Sequence, residues 1–371
     1  MPPFDPPKRL LMGPGPSNVN PKVLEAISRP TIGHLDPRFV ELMDEIKELL
    51  QYAFQTKNEV TFPVSGPGSA GMELCLINLV EPGDKVVVCI NGVFGGRMKQ
   101  IVERCGGIPI VIEQDWAKAV DPNKLDETLT QNNETKLVAF VHAETSTGAK
   151  SDIKTLTQIS HQHNCLVIAD TVTSLGGIEL KIDDWQIDAS YSGTQKCISC
   201  PPGLSPVTFN QKAIDKIKNR KTLVQSWFMD INLVLGYWGQ SSKRTYHHTA
   251  PINSLYGLHE ALLLLKEECL ENAWKRHQQN SELLCKGVEE LGLEIFVKED
   301  ERLPELVTVT IPKGLDEAKV RSNLLNEHNI EIGAGLGALA GKIWRIGLMG
   351  YTSDEKNVKT FLSAFKKSLN Y

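Results

Sequence analysis

The feature that most constrains the fold is a regular alternation of short apolar runs with helix-like segments. The runs KVVVCIN, KLVAFVHAE and CLVIAD are apolar at nearly every position, where a half-exposed strand would alternate apolar and polar residues. Such runs are typical of strands in a parallel sheet that is covered on both faces. Segments with helical spacing, such as RMKQIVERC and DIKTLTQISHQHN, separate them. The pattern predicts an α/β fold with βαβ units and a mostly parallel sheet.

The length of the chain indicates more than one structural unit, because 371 residues exceed what a single small core organises. A long helix is predicted over residues 253–292. Beyond it the pattern changes to LEIFVK, ELVTVTIP and IWRIGLM, which indicates a compact α+β unit. We therefore expect an N-terminal arm over residues 1–20, a large domain over 21–275 and a smaller C-terminal domain over 276–371.

Charge and hydropathy argue against two classes of partner. The net charge is −5, so we expect no broad positive surface for nucleic acid or an anionic membrane. No apolar run approaches the ~20 residues that a membrane-spanning helix needs. The first residues, MPPFDPPKRL, lack the apolar core of a secretory signal. The sequence-based expectation is a cytoplasmic protein.

Chemistry in an open α/β sheet is expected just after the strands, because ligands bind at their carboxyl ends. In SGPGSAGME, a glycine-rich turn at Gly68 leads into a helix, whose first N–H groups attract anions such as phosphate. An ordinary β–α turn is an equally good interpretation. In HAETSTG, over residues 142–148, the hydroxyls could fix polar substrate groups or form a Ser/Thr turn. In CLVIADTVTSLGG, Asp170 ends a buried strand and needs a charged or hydrogen-bonding partner.

The segment YSGTQKCISCPPG contains Lys196 together with a Cys-x-x-Cys pair. A buried lysine has a lowered pKa and can form a Schiff base, so Lys196 is a candidate catalytic residue. Cys197 and Cys200 could instead form a metal or redox pair. A single pair followed by two prolines argues against both, because zinc sites need further ligands and a redox motif opens a helix. We expect no metal, and eight cysteines that act mainly as buried free thiols.

A phosphate-binding turn, a buried carboxylate and a Schiff-base lysine together match the needs of pyridoxal phosphate. The carboxylate would keep the ring nitrogen protonated, and the lysine would hold the aldehyde and move the substrate α-proton. Pyridoxal 5'-phosphate is therefore the expected cofactor.

Several motifs in order along the chain resemble the class V, fold type I aminotransferases, in particular the alanine–glyoxylate and serine–pyruvate aminotransferase group. The motifs are MGPGPSN, ADTVTSLGG, YSGTQK, PPGLSPVTF, RTYHHT and WRIGLMG. The resemblance extends from about Leu11 to the C-terminus. It implies a large fold type I domain with a mostly parallel, seven-stranded sheet, a smaller C-terminal α+β domain, and a homodimer with shared active sites.

The resemblance also implies a role for each matching residue on the cofactor. Lys196 would bind the aldehyde, Asp170 would pair with the ring nitrogen, and Val172 would pack on the ring. The expected phosphate ligands are Gly68, Ser69 and Gln195, with Tyr246 and Thr249 reaching the phosphate of the other subunit.

On the substrate side, the resemblance implies that Ser146 and Arg345 hold the carboxylate and that Gly15 lines the site. Two positions depart from the family pattern. Phe94 stands where a ring-stacking tryptophan is common, and Pro67 stands where a serine is common in the phosphate loop. Because Pro67 removes a hydroxyl and an N–H, the hypothesis is a somewhat weaker cofactor affinity.

The function expected from these residues is transfer of an amino group from alanine or serine to glyoxylate or pyruvate. One alternative is a cysteine desulfurase or another lyase of the same fold, which would need a cysteine on a mobile loop. Cys269 and Cys285 are instead predicted to lie in a helix. A second alternative is a non-catalytic protein that has kept the fold, which the presence of Lys196, Asp170 and Arg345 argues against.

Overall fold

The computed structural model describes residues 1–239 and 244–369. Its α-helices are α1 Pro21–Ile27, α2 Pro37–Phe54, α3 Gly68–Leu79, α4 Val93–Arg104, α5 Pro122–Gln131, α6 Ile153–Gln162, α7 Gln211–Lys218, α8 Ile231–Trp238, α9 Ile252–Glu268, α10 Leu270–Glu290, α11 Glu317–His328 and α12 Glu355–Leu369. Its strands are β1 Leu10–Leu11, β2 Val60–Ser65, β3 Lys85–Ile90, β4 Ile108–Glu113, β5 Leu137–Val141, β6 Ala143–Glu144, β7 Ala149–Lys150, β8 Leu166–Asp170, β9 Ala189–Tyr191, β10 Leu204–Phe209, β11 Leu306–Thr310, β12 Ile330–Glu331, β13 Gly333–Ala334 and β14 Ile343–Gly347. Among the described residues, no helix combines the length and apolarity needed to cross a membrane.

The central sheet has seven strands in the order β2-β10-β9-β8-β5-β3-β4. The strands β4, β3, β5, β8 and β9 pair in parallel, while β10 runs antiparallel to both of its neighbours, β9 and β2. Every residue of β5 is buried, as expected for a strand covered on both faces. The predicted α/β fold with a mostly parallel sheet is confirmed.

Many helices begin at sequence signals that satisfy their free N–H groups. The side chains of Asn20, Asp36 and Asp121 each accept a hydrogen bond from the second residue of the helix that follows. In all three helices a proline occupies the first position, where no intrahelical N–H bond is lost. These caps fix where the loops before α1, α2 and α5 end.

The described residues form two large apolar cores and a third, small cluster. The larger one surrounds the seven-stranded sheet, and the smaller one lies between helices α10 to α12 and the three-stranded sheet β11-β14-β13. The N-terminal arm joins the smaller core, since β1 pairs in parallel with β12 and Met12 is buried there. Along α10, Ala273 belongs to the larger core and Leu284 to the smaller one. The domain boundary near residue 275 lies inside this helix and stays a prediction.

The prediction of one long helix over residues 253–292 is wrong in one respect, because the structure has two helices there. Cys269 separates α9 from α10 and has a φ of 69°, which a continuous helix does not allow. The Tyr52 hydroxyl accepts a hydrogen bond of 3.2 Å from the N–H of Leu270, the first residue of α10. Cys269 is therefore an exposed connecting residue rather than a helical one, while Cys285 lies in α10 as predicted.

Glu305, directly before β11, carries a fully buried carboxyl group. Neither of its oxygens has a hydrogen-bond partner among the described residues. The side chain packs against Gly177, where an added Cβ would lie 2.6 Å from Glu305 Cγ and 2.6 Å from Cys197 Sγ. Burial raises the pKa of Glu305 to about 8. Burying an unpaired polar group destabilises the folded state in either protonation form.

We expect Glu305→Leu to stabilise the protein, and more so at pH 8 than at pH 5. The pKa of Glu305 is about 8 in the folded state and about 4.3 in the unfolded chain. Between these two pKa values the folded state therefore binds more protons than the unfolded chain. The free energy of unfolding then falls as the pH rises through this range. The gain should be larger at pH 8 than at pH 5 by at least about 1 kcal/mol, measured by urea unfolding.

The matched control is Glu290→Leu, at an exposed position of α10. It should change the free energy of unfolding by no more than about 0.5 kcal/mol at either pH. An equal gain for Glu305→Leu at pH 5 and pH 8 would show that ionisation of Glu305 does not destabilise the fold.

Candidate active site

Several of the polar residues singled out in the sequence lie at one edge of the central sheet. Asp170 is the last residue of β8, and the neighbouring strand β5 is followed directly by His142, whose N–H donates to the Asp170 carbonyl at 3.0 Å. Lys196 lies in the loop between β9 and β10. Because β5, β8 and β9 run in parallel, their carboxyl ends bring these residues to the same side of the molecule.

Asp170 is held by two hydrogen bonds within this edge. Its Oδ1 accepts from the Val172 N–H at 2.9 Å, and its Oδ2 accepts from the Tyr191 hydroxyl at 2.7 Å. Burial raises the pKa of Asp170 to about 6, while these two bonds and the positive charge of Lys196 oppose the rise. The carboxyl group is therefore mostly ionised at neutral pH, although only 2% of the residue is exposed.

Lys196 is the buried amine of the site. Its Nζ donates a hydrogen bond to the Pro14 carbonyl, and an added Cβ on Gly15 would lie 2.6 Å from the same nitrogen. Burial lowers the pKa of Lys196 to about 8, aided by the charge of Arg345. A larger fraction of the amine is then uncharged and nucleophilic than in an exposed lysine. The glycine at position 15 leaves room for this side chain.

The expected phosphate ligands meet beside Val172. Helix α3 begins at Gly68, where an added Cβ would lie 3.4 Å from Val172 Cγ2. A Cβ on Gly193 would lie 2.9 Å from Gln195 Oε1, and this oxygen is buried without a hydrogen-bond partner in the described part of the chain. Ser69 is exposed in the first turn of the helix. The first N–H groups of α3 can thus bind an anion, whereas Gln195 Oε1 is an acceptor, so only the NH₂ group of that carboxamide could donate to a phosphate.

Arg345 enters the site from the smaller core, on strand β14. Its Nε donates to the Ala334 carbonyl at 2.7 Å, and its Nη1 donates to the Thr145 carbonyl at 3.1 Å. Burial lowers the pKa of Arg345 to about 10, so the guanidinium stays charged at neutral pH. A guanidinium has five N–H donors, so donors remain for a substrate carboxylate.

Glu144 was not singled out from the sequence, although it is fully buried in this site. Its Oε1 accepts from Ser146 Oγ at 2.6 Å and from the Ser146 N–H at 3.0 Å, and its Oε2 accepts from the Phe94 N–H at 3.2 Å. Burial raises the pKa of Glu144 to about 7, and the bonds from Ser146 oppose the rise. The signal was present in HAETSTG, since an acidic residue just after a buried strand is the same pattern that marked Asp170.

The remaining predicted site residues differ in their burial and in their contacts. The Ser146 hydroxyl donates to Glu144, so its hydrogen is already engaged, and a substrate role for Ser146 stays a prediction. Phe94 is half-buried, and the Arg97 guanidinium lies 4.9 Å from the centre of its ring. Tyr246 and Thr249 are exposed, with the Tyr246 ring 5.2 Å from the His34 ring. Their predicted contact with the other subunit's cofactor also stays a prediction.

The family model described as aminotransferase class-V matches residues 10–361. The chain belongs to the class-V aminotransferase family. The curated alanine–glyoxylate aminotransferase of Rattus norvegicus is 42% identical over 371 residues, which cover 100% of this chain and 89% of the relative. The (S)-ureidoglycine–glyoxylate transaminase of Bacillus subtilis (strain 168) is 37% identical over 381 residues, covering 98% of this chain and 91% of that protein.

A solved structure shares the fold of this aminotransferase along its whole length. The crystal structure of an alanine–glyoxylate aminotransferase from Nostoc sp. superposes with a TM-score of 0.97 and is 46% identical, covering 100% of this chain and 97% of that one. The family and the fold inferred from the sequence are confirmed, as is the expectation of an aminotransferase.

The two cysteines beside Lys196 have the burial expected of packing residues, and this role stays a prediction. Both are buried and reduced, and the Cys197 thiol donates to the Thr173 carbonyl at 3.1 Å. Burial raises the pKa of the Cys197 thiol well above its ordinary value and that of Cys200 to about 12. Thiols with such pKa values are poor nucleophiles and poor metal ligands.

We expect the double variant Cys197→Ser, Cys200→Ser to keep its turnover within about threefold of the wild type, because neither thiol is ionised at neutral pH. The free energy of unfolding should fall by about 1–2 kcal/mol, since two buried apolar sulfurs are replaced. Turnover and urea unfolding on the same preparation measure both effects. A loss of activity in fully folded protein would instead support a metal or redox role for this cysteine pair.

Proposed function

We propose that this chain is a pyridoxal-phosphate-dependent transaminase that moves the amino group of alanine or serine to glyoxylate or pyruvate. With glyoxylate as the acceptor, the products are glycine and a 2-oxo acid. The observation that carries the proposal is the presence of Lys196, Asp170 and Arg345 in one buried site. The names of the rat and Nostoc relatives support glyoxylate as the acceptor and alanine as a donor.

The described residues fit the cofactor in three respects. The start of α3 fits a phosphate group, to which the Gln195 NH₂ group could add a donor. The ionised Asp170 fits a protonated ring nitrogen, because a buried carboxylate stabilises an adjacent positive charge. The buried Lys196 amine fits an aldehyde.

When bound, pyridoxal phosphate supplies an aldehyde that takes up the amino group and a ring that accepts electrons from the substrate α-carbon. Lys196 Nζ moves the proton at that carbon, because it is the buried amine of the site. Asp170 keeps the proton on the ring nitrogen. Arg345 holds the substrate carboxylate and thereby orients the α-hydrogen. Phe94 and Val172 would cover the ring and exclude water.

The proposal includes a homodimer in the cytoplasm, with Tyr246 and Thr249 at the phosphate of the partner subunit. Large apolar side chains are exposed near Tyr246, where the Trp227 ring stacks on the His247 ring at 4.6 Å. Apolar surface of this kind supports an interface between protein chains. Sedimentation at micromolar concentration tests the assembly, and a monomer with full activity would contradict the shared site.

A donor and acceptor panel on the purified protein tests the proposed reaction. Alanine, serine, ureidoglycine and cysteine are offered as donors, each with glyoxylate and with pyruvate, and the amino acids formed are quantified. We expect glycine from glyoxylate with alanine or serine as the donor. Sulfide released from cysteine without an acceptor would favour the lyase alternative. A protein that binds no pyridoxal phosphate would contradict both enzymatic proposals.

A further inference from the structure

The turn formed by residues 144–146 contacts two parts of the site at once. On one side, its side chains bind the first N–H groups of α4, the helix that carries Phe94. On the other side, the Thr145 carbonyl accepts a hydrogen bond of 3.1 Å from Arg345 Nη1. The turn therefore lies between the ring expected to stack on the cofactor and the guanidinium expected to bind the substrate.

Helix α4 has no cap of its own, because Gly92 precedes it and provides no side chain. The cap comes from the turn. The Val93 N–H donates to Ser146 Oγ at 2.9 Å, and the Phe94 N–H donates to Glu144 Oε2 at 3.2 Å. A Cβ at Gly92 would lie 2.4 Å from Glu144 Cδ, so the carboxyl group packs directly on the backbone before the helix. A carboxylate at a helix start also interacts favourably with the helix dipole.

Glu144 also fixes the shape of the turn itself. Its Oε1 accepts from both the N–H and the hydroxyl of Ser146, which closes the turn around the intervening Thr145. The direction of the Thr145 carbonyl follows from this closure, and that carbonyl binds Arg345. The Glu144 carboxyl group thus fixes both the start of α4 and the position of the Thr145 carbonyl that accepts from Arg345.

We propose that Glu144 is a positioning residue. It fixes the Phe94 ring for contact with the cofactor and the Arg345 guanidinium for binding of the substrate carboxylate. The inference rests on the proposed function. It assigns Glu144 no contact with cofactor or substrate, and the effect passes through the hydrogen bonds to Phe94 and to the turn.

Glu144→Gln tests the inference because it keeps the shape of the side chain and removes one acceptor. A carboxamide has a single acceptor oxygen, so its NH₂ group must face either the Phe94 N–H or the two donors of Ser146. We expect the dissociation constant of pyridoxal phosphate and the KM for the amino donor each to rise about tenfold, with kcat changed less than threefold. Absorbance titration gives the first value and needs no turnover.

Two comparisons separate positioning from a general loosening of the fold. Thr147→Val alters the buried residue directly after this turn. Its side chain bonds the Glu144 carbonyl and the Ala149 N–H but neither α4 nor Arg345, and the variant should leave both constants unchanged. In a Phe94→Ala background, Glu144→Gln should add less than twofold to the dissociation constant of the cofactor, because the ring it positions is gone.

Three results would overturn the inference. The first is that the wild type binds cofactor and transaminates, but Glu144→Gln changes neither the dissociation constant nor the KM. This result would contradict the role of Glu144 and would still agree with the proposed function. The second is an equal effect of Thr147→Val. The third is a wild type that binds no pyridoxal phosphate, which removes the proposed function as well.

Discussion

Replacing Lys196 with alanine should abolish transamination while leaving the protein folded. The reaction needs an amine that holds the aldehyde and moves the proton at the substrate α-carbon, and Lys196 is the buried amine of the site. Loss of a positioned general base alone costs about 10²–10⁴-fold in rate. The loss of the covalent attachment adds to this figure, so we expect a fall in kcat of at least about 10³-fold.

The measurement combines turnover with absorbance of the bound cofactor. Wild-type protein should show a band near ~410–420 nm that borohydride removes, as expected for a lysine Schiff base, and Lys196→Ala should lack it. Lys154→Ala, at an exposed position of α6, is the matched control and should behave as wild type. Turnover by Lys196→Ala within tenfold of the wild type would contradict a catalytic role for this residue.

Asp170→Asn should produce the second large effect, a fall in kcat of about 10²–10³-fold. The charge of Asp170 would stabilise a protonated ring nitrogen, and asparagine cannot supply that charge. The fold should be retained, because the asparagine oxygen can still accept from the Val172 N–H and the Tyr191 hydroxyl can turn to accept from the new NH₂ group.

Tyr191→Phe provides a graded comparison for this prediction. It removes a hydrogen bond that lowers the pKa of Asp170, so that pKa should rise further above its ordinary value. The variant should lose activity as the pH falls below 7, because a protonated Asp170 no longer carries the charge. We expect about a tenfold loss at pH 6 and a smaller one at pH 8. A flat pH profile for Tyr191→Phe, together with full activity of Asp170→Asn, would show that the charge of Asp170 is not used.

Residues that follow the strands directly could be predicted from the sequence. Asp170 ends an apolar run, and Lys196 lies in the loop after the next strand, so the rule for parallel sheets places both at one edge. The parallel order of the central strands follows from the same alternation of apolar runs and helices. Only β10 departs from it, because a short strand after a loop carries no signal of its direction.

Contacts between residues far apart in sequence could not be predicted. Glu144 and Phe94 are separated by 50 positions, and nothing in either segment indicates that one caps the helix of the other. The break at Cys269 was hidden because a non-glycine residue with a positive φ has no sequence signature. The sequence around Glu305 gives no indication that this acidic residue is buried.

Backbone hydrogen bonds of the N-terminal arm connect the smaller core to Lys196. The Met12 N–H donates to the Glu331 carbonyl, the Gly347 N–H donates to the Met12 carbonyl, and two residues later the Pro14 carbonyl accepts from Lys196. Gly347 lies on the same strand as Arg345, two positions further on. A shift of this strand on substrate binding would therefore pull on the carbonyl that restrains the resting amine. In the proposed mechanism, a few residues of backbone would therefore link carboxylate binding at Arg345 to the restraint on Lys196.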